Sequence, residues 1–220
     1  MIGPLSLLRN LIRKRPSTDG PEQRPTAAAE VGAGTVIESP RIGPGLLFPD
    51  LLPENVWGSN LRGILTRAEW DRLRIPACER AGNVCEVCGR AGYDPVSGRR
   101  RRPDCHELWS FEIRGDQFVQ RLDRLIALDA GCHRTQHIGL AGIRGETHLV
   151  RRRLAEVNGW DARVSQSAIE EAVAIYRRRA SFNWDLNLSL LQGQIHVEGF
   201  PQLFIPAEER QRLGNSYFGG

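Results

Sequence analysis

The sequence is almost without lysine. Lys14 stands alone, so nearly all the positive charge of this 220-residue chain is arginine. Arginine presents a planar fork of donors that matches phosphate oxygens and base edges. The net charge of +4 permits nucleic-acid binding without demanding it, because surface solubility accounts for such a balance equally well. Long apolar runs are also missing. None approaches the roughly 18 residues that read as a membrane-spanning helix, so no membrane partner is expected. A secretory pattern is missing too: MIGPLSLLRNLIRKRP places apolar residues before basic ones and lacks a cleavage-like site. The cysteine count, five, is odd, which argues against a disulfide framework. These absences together predict a cytoplasmic, reducing compartment in which thiols are free to bind metal. There are no internal repeats, and the length suits one domain with appendages or two small ones.

What is present is concentrated between Cys85 and His137. The chain reads CEVCG at 85–89, CHELWSFE at 105–112 and LDAGCHRTQH at 128–137. Cys85 and Cys88 have knuckle spacing, and Cys132 joins them as a zinc-type ligand set more readily than as a redox pair. His133 and His137 are four apart, which places both imidazoles on one face of a helix and lets them share a cation.

Around this centre the chain divides into an arm or linker over 1–45, a domain over 46–191 and an extended tail over 192–220. Residues 1–15 can form a short amphipathic basic helix or an unstructured terminus, and 16–45 are rich in Pro, Gly, Ala and Thr. Residues 46–65 have apolar content without a period and should wrap irregularly over a core. Thr66 and Glu69 form a capping box. The helix it starts puts Trp70, Leu73 and Ala77 on one face, with Pro76 expected to kink or interrupt it. Arg99, Arg100, Arg101 and Arg102 form either a solvated hairpin loop or a phosphate-contacting one. His106–Ile113 reads as a strand and Phe118–Leu128 as its return, followed by a helix starting near Cys132. Further helices are expected over about 146–157, stopped at Asn158-Gly159, and over about 167–180, capped by Ser167 and Glu170. Trp184–Leu190 alternates as a strand. The tail should pack on something else, such as a second subunit, giving a homodimer through the terminal arms. Trp70, Trp109, Trp160 and Trp184 read as core anchors, Cys78 as a core thiol, and His148 and His196 as surface or capping residues.

Strand, turn, strand and helix, with one histidine on the first strand and two on the helix, make a ββα-metal arrangement. The fold class expected is α+β: a small ββα-metal core on a zinc knuckle, flanked by helices and extended arms. In such a core a divalent cation held by His133 and His137 polarises a scissile phosphate. His106 then serves as general base, since an imidazole titrates near working pH.

The residues Trp57-Gly-Ser-Asn60-Leu-Arg62, Trp70, Arg74, Cys85-Glu-Val-Cys88-Gly89, His106-Glu-Leu-Trp109, Leu125, Leu128, Cys132-His133 and His137-Ile-Gly139 resemble those of bacterial and phage proteins in the HNH endonuclease (His-Me finger) superfamily. The likeness covers about residues 50–190 and continues through Asn158-Gly159-Trp160 to Trp184-Asp-Leu-Asn-Leu. It implies an endonuclease that hydrolyses phosphodiester bonds in nucleic acid, most often DNA, with a structural Zn2+ and a catalytic Mg2+, Mn2+, Ni2+ or Zn2+. Three departures accompany it. The second CxxC pair reads Asp129-Ala-Gly-Cys132, so the structural zinc would be held by Cys85, Cys88, Asp129 and Cys132, with Cys105 in reserve. Cys105 occupies the place before the base where the family often has a metal ligand; Cys105, or else Glu107, is then an additional candidate ligand. Arg124 stands about where the family's motif Asn falls. The lost zinc cysteine and the missing Asn keep a second reading open, a non-catalytic nucleic-acid-binding or assembly module on the same scaffold.

Overall fold

A computed structural model describes residues 36–93 and 97–213. The chain enters through β1 (Val36–Glu38) and a small hairpin of β2 (Ile42–Gly43) and β3 (Leu46–Leu47). The stretch expected to be irregular contains one 3-10 turn at Glu54–Val56 and the short α1 (Leu61–Ile64), whose first turn is capped by the Asn60 side chain accepting from Gly63 N. The Thr66–Glu69 capping box is present and opens α2 (Arg67–Arg80). α2 is not interrupted at Pro76 but continues past it to Arg80. Pro76 and the Arg72 carbonyl it deprives are on exposed residues, so water can take the bond the ring removes. Trp70, Leu73 and Ala77 are buried, as their spacing requires.

After the Cys85 knuckle come β4 (Gly92–Tyr93) and β5 (Arg100–Arg101), paired to each other, then β6 (Asp104–Arg114) and β7 (Gln117–Leu128). β6 and β7 form one long antiparallel hairpin, turned at Gly115, where φ is 61°. Its register shifts between Leu108 and Trp109: Leu108 pairs with Arg124 and Trp109 with Leu122, leaving Asp123 as an extra residue on β7. This bulge explains a feature of the sequence. Leu122 and Leu125 are an odd number of residues apart yet pack into the same core, which the two-residue alternation of a regular strand forbids. The Ser110 hydroxyl donates to the Asp123 carboxylate at the bulge.

Next come α3 (Ala130–Gln136), α4 (Ile138–Ile143), α5 (Thr147–Asn158) and α6 (Ala162–Arg179). α5 stops at Gly159, which takes the left-handed conformation at φ 69°. α6 begins five residues before the expected start, because Asp161, not Ser167, caps it by accepting from Val164 N at 2.8 Å. Its stripe of Ile169, Ala172, Val173 and Tyr176 is buried as read. β8 is only Asp185–Asn187, shorter than the alternation of 184–190 suggests; a 3-10 turn takes over at Ser189.

The central sheet has the order β1-β6-β7-β8-β9, mixed because β7 and β8 run parallel. β9 (Phe204–Ile205) and α7 (Ala207–Leu213) belong to the segment expected to be an extended tail. Instead it folds back: Val197, Leu203 and Ile205 join the core of Trp109, Phe111, Trp184 and Leu186. Arg210, almost fully buried, donates to Ser59 Oγ, the Trp184 carbonyl and Gln120 Oε1. The arm boundary also moves, since β1 pairs with β6, Val36 opposite Ile113. The expected N-terminal helix and most of the first arm lie outside the described residues.

One core lies on each face of the sheet. Trp70, Leu73, Trp109, Phe111, Leu122 and Leu186 fill one, under α2. Leu108, Ile126, Leu128, Ile138, Val150, Leu154 and Ile169 fill the other, under α3 to α6. Trp160 packs only partly buried against the second. Among the described residues no helix is long and apolar enough to cross a membrane.

Candidate metal centres

Two groups of metal-competent side chains lie on the α3–α6 side of the sheet. Each has its ligand atoms within 4.8 Å of one another: His106, His133 and His137 in one, Cys85, Cys88, Asp129 and Cys132 in the other. Both can hold a metal ion.

The histidine group is assembled by β6 and α3. On β6, His106 shares a face with Asp104 and Leu108 by the two-residue alternation, and sits opposite Ile126. Asp129 caps α3, its Oδ1 accepting from Cys132 N at 2.7 Å, so the helix begins at Ala130, earlier than Cys132. α3 ends at Gln136, and His137 sits at the joint with α4 at φ −106°, ψ 41°. His137 N still bonds to the His133 carbonyl at 3.2 Å, which preserves the one-turn relation between the two imidazoles. Their Nε2 atoms face each other at 3.0 Å. The His106 ring stands 5.3 Å from that of His133 and 4.9 Å from that of His137, centroid to centroid.

The hydrogen bonds assign tautomers in part. Asp104 Oδ2 lies 3.5 Å from His133 Nδ1. A carboxylate there favours a proton on Nδ1 and leaves the Nε2 lone pair pointing toward His137, the arrangement by which outer carboxylates orient metal-bound histidines. The His133 imidazole in turn holds the Asp104 carboxyl below its ordinary range. His106 is buried, and its Nδ1 has no hydrogen-bond partner among the described residues. Burial, followed by the charges of His137, His133 and Arg62, keeps His106 well below the usual imidazole range. At neutral pH it is therefore an unprotonated base.

The cysteine group is pinned to the end of β7. Glu86 N donates to the Ala127 carbonyl at 2.9 Å, Ala127 N returns a bond to Glu86 Oε1 at 2.8 Å, and Arg124 Nη1 reaches Glu86 Oε2 at 2.9 Å. Gly89, at φ 71°, closes the knuckle by bonding the Cys85 carbonyl. A hydrogen bond from Cys132 lowers the Cys85 thiol to about 5, while the same contact and burial push Cys132 up. Three sulfurs and a carboxylate oxygen, one already biased to thiolate, form a donor set that fits zinc.

Two candidate ligands lie elsewhere. Cys105 faces the opposite core, hydrogen-bonded to Cys78. Glu107 is on that same side and accepts from Leu61 N at 3.0 Å. Neither belongs to a metal-competent group. Among the arginines, Arg101 and Arg102 line a cleft of about 470 Å³ together with Arg62, Arg67 and Arg74 and the carboxylates Asp71 and Asp104. Arg99 and Arg100 are exposed but do not line it.

Sequence reasoning missed Asp104 and Arg153. The first could have been found from its position two residues before His106 on the same strand face. The second, 6% exposed, sends Nη2 to Asp129 Oδ2, to Cys88 Sγ at 2.9 Å and to Cys132 Sγ at 3.3 Å. Nothing in local sequence marks it. Comparison with family models, with curated proteins and with solved structures finds no match to this chain.

Proposed function

We propose that this protein is a metal-dependent endonuclease of the HNH type, acting on phosphodiester bonds in nucleic acid, with DNA the expected substrate. The observation that carries the reading is the convergence of His106 from β6 with His133 and His137 from α3 and its C-terminal joint, the helix imidazoles presenting Nε2 atoms 3.0 Å apart. A hairpin followed by a helix, with this division of histidines, is what the resemblance implies for a ββα-metal core. A divalent cation bound to His133 and His137 would supply Lewis acidity toward a phosphate and its leaving oxygen. The remaining work falls to the chain. His106, neutral and buried at the edge of the group, takes a proton from the attacking water. Asp104 fixes the His133 ring. The cleft lined by Arg62, Arg67, Arg74, Arg101 and Arg102 also contains Asp71 and Asp104, and its excess of arginine suits a polyanionic backbone. Arg124, standing where the family has its motif Asn, ties the knuckle to β7 through Glu86.

One observation favours the non-catalytic alternative. His106 Nδ1 has no partner among the described residues to orient it, whereas a general base is ordinarily held in place by a third group. A plasmid-nicking assay of the purified full chain separates the readings. Under the nuclease reading, relaxed circles accumulate on addition of Mg2+, Mn2+, Ni2+ or Zn2+ and do not with chelator. Retention of plasmid in gel shift without nicking under any of these cations supports the binding module.

A further inference from the structure

The cysteine group already contains a cation that belongs to the protein. Arg153, on α5, brings one guanidinium nitrogen within hydrogen-bond reach of three of its four members: Cys88 Sγ at 2.9 Å, Cys132 Sγ at 3.3 Å and Asp129 Oδ2. Cys85, the member already biased to thiolate, is the one it does not touch. One donor thus bridges three corners of a four-cornered set. The other fork nitrogen, Nη1, bonds Glu156 Oε2 at 2.8 Å, and Glu156 also accepts from Arg90 beside the knuckle, so the fork is held in orientation. The path of the side chain is built too. A Cβ at Gly131 would stand 3.1 Å from Arg153 Nε and 3.4 Å from its Cδ, so residue 131 is small where the arginine passes.

We propose that Arg153 is the outer-shell cation of this metal site and sets its affinity for zinc. Three thiolates and a carboxylate bring four negative charges to a dication, and the excess must be compensated in a buried place. A guanidinium donating to two sulfurs and to the carboxylate removes half of that excess, and it steadies Asp129, the least zinc-adapted of the four donors. Lysine cannot do the same, because it is a point charge without the planar fork.

The inference rests on the reading of the cysteine group as a zinc site, and the test separates the two. Zinc per chain is measured by elemental analysis of the full-length protein, and affinity by competition with a chromophoric chelator, for wild type, Arg153→Met, Arg153→Lys and the surface control Arg152→Met. Wild type holds about one zinc. Arg153→Met binds zinc about 10- to 100-fold more weakly, the range typical of lost outer partners. Arg153→Lys falls between the two, and Arg152→Met, on an exposed position of the same helix, stays at the wild-type value. If Arg153→Met does not fold, the lysine variant alone decides, by a fall or by none. Wild-type zinc with unchanged affinity in the Arg153 variants overturns the role of Arg153 only. A wild-type protein that takes up no zinc overturns the zinc reading and this inference with it.

Discussion

The two metal-competent groups share helix α3, where Cys132 faces one and its neighbour His133 the other, yet they are finished differently. The cysteine group is internally satisfied. Asp129 caps the helix with one oxygen and meets Arg153 with the other, the thiols bond to one another and to Asp129, and Glu86 ties the knuckle to β7. The histidine group is left open. Among the described residues, two Nε2 atoms face each other, the third imidazole has an unpartnered buried nitrogen, and Asp104 steadies the assembly from outside. A closed polar network rigidifies a fold, and an open one keeps donors for something else. The proposed function requires such a division, with structure in the first group and chemistry in the second.

That contrast can be broken most sharply by removing both helix imidazoles. His133→Ala/His137→Ala should lower metal-stimulated cleavage by at least about 100-fold, beyond what loss of an outer partner causes, while zinc content stays at the wild-type level. Zinc lost in parallel with cleavage would mean that the groups are not separate. The reciprocal change is Asp129→Ala. It strands the buried Arg153 and removes the cap of α3, so urea denaturation should show a loss of about 3–5 kcal/mol, the cost of breaking one side of a buried pair. A loss below about 1 kcal/mol, the scale of a cap alone, would show that the pair is not closed as described.

Acid sharpens the comparison further. His106 is held neutral below its ordinary range by burial and by nearby positive charge, and His137 is lowered to about 4 by its protein surroundings and the charges of His133 and Arg62. Above the unfolded imidazole value of about 6.5, folded and unfolded chains bind the same protons at these positions. As the pH falls below it, the unfolded chain takes up protons that the folded one refuses, so stability falls with pH. Thermal melts of metal-free protein should therefore drop from about pH 6.5 downward, and His106→Phe should flatten that limb. An unchanged limb would remove His106 as its source. The smallest effect concerns the cleft. Replacing Arg101 and Arg102 with serine should reduce the salt slope of nucleic-acid binding by roughly 1–2, whereas Arg99 and Arg100, outside the cleft, should change it little. Equal slopes for both pairs would make the cleft a bystander.

Much of this was legible because it is local. The Thr66–Glu69 box, the Gly159 stop, the strand pair and the one-turn spacing of His133 and His137 are all written in short windows of sequence. The start of α6 was misplaced because Asp161 and Ser167 both offer caps, and only packing of the first turn decides between them. Pro76 was tolerated because its face of α2 meets solvent. Arg153 reaches Cys88 across 65 residues, and Arg210 reaches Ser59 across 151; contacts of that range leave no periodic trace. The segment after 192 looked extended for the same reason, since its partners in the sheet lie elsewhere in the chain.

The most direct test of the central claim compares wild type with His106→Ala in plasmid nicking at matched zinc content and matched melting temperature. The account predicts cation-stimulated nicking by wild type and a loss of about 10²- to 10⁴-fold in the variant, the contribution of a positioned general base. Nicking by His106→Ala at the wild-type rate, or none by wild type under Mg2+, Mn2+, Ni2+ or Zn2+, would contradict it.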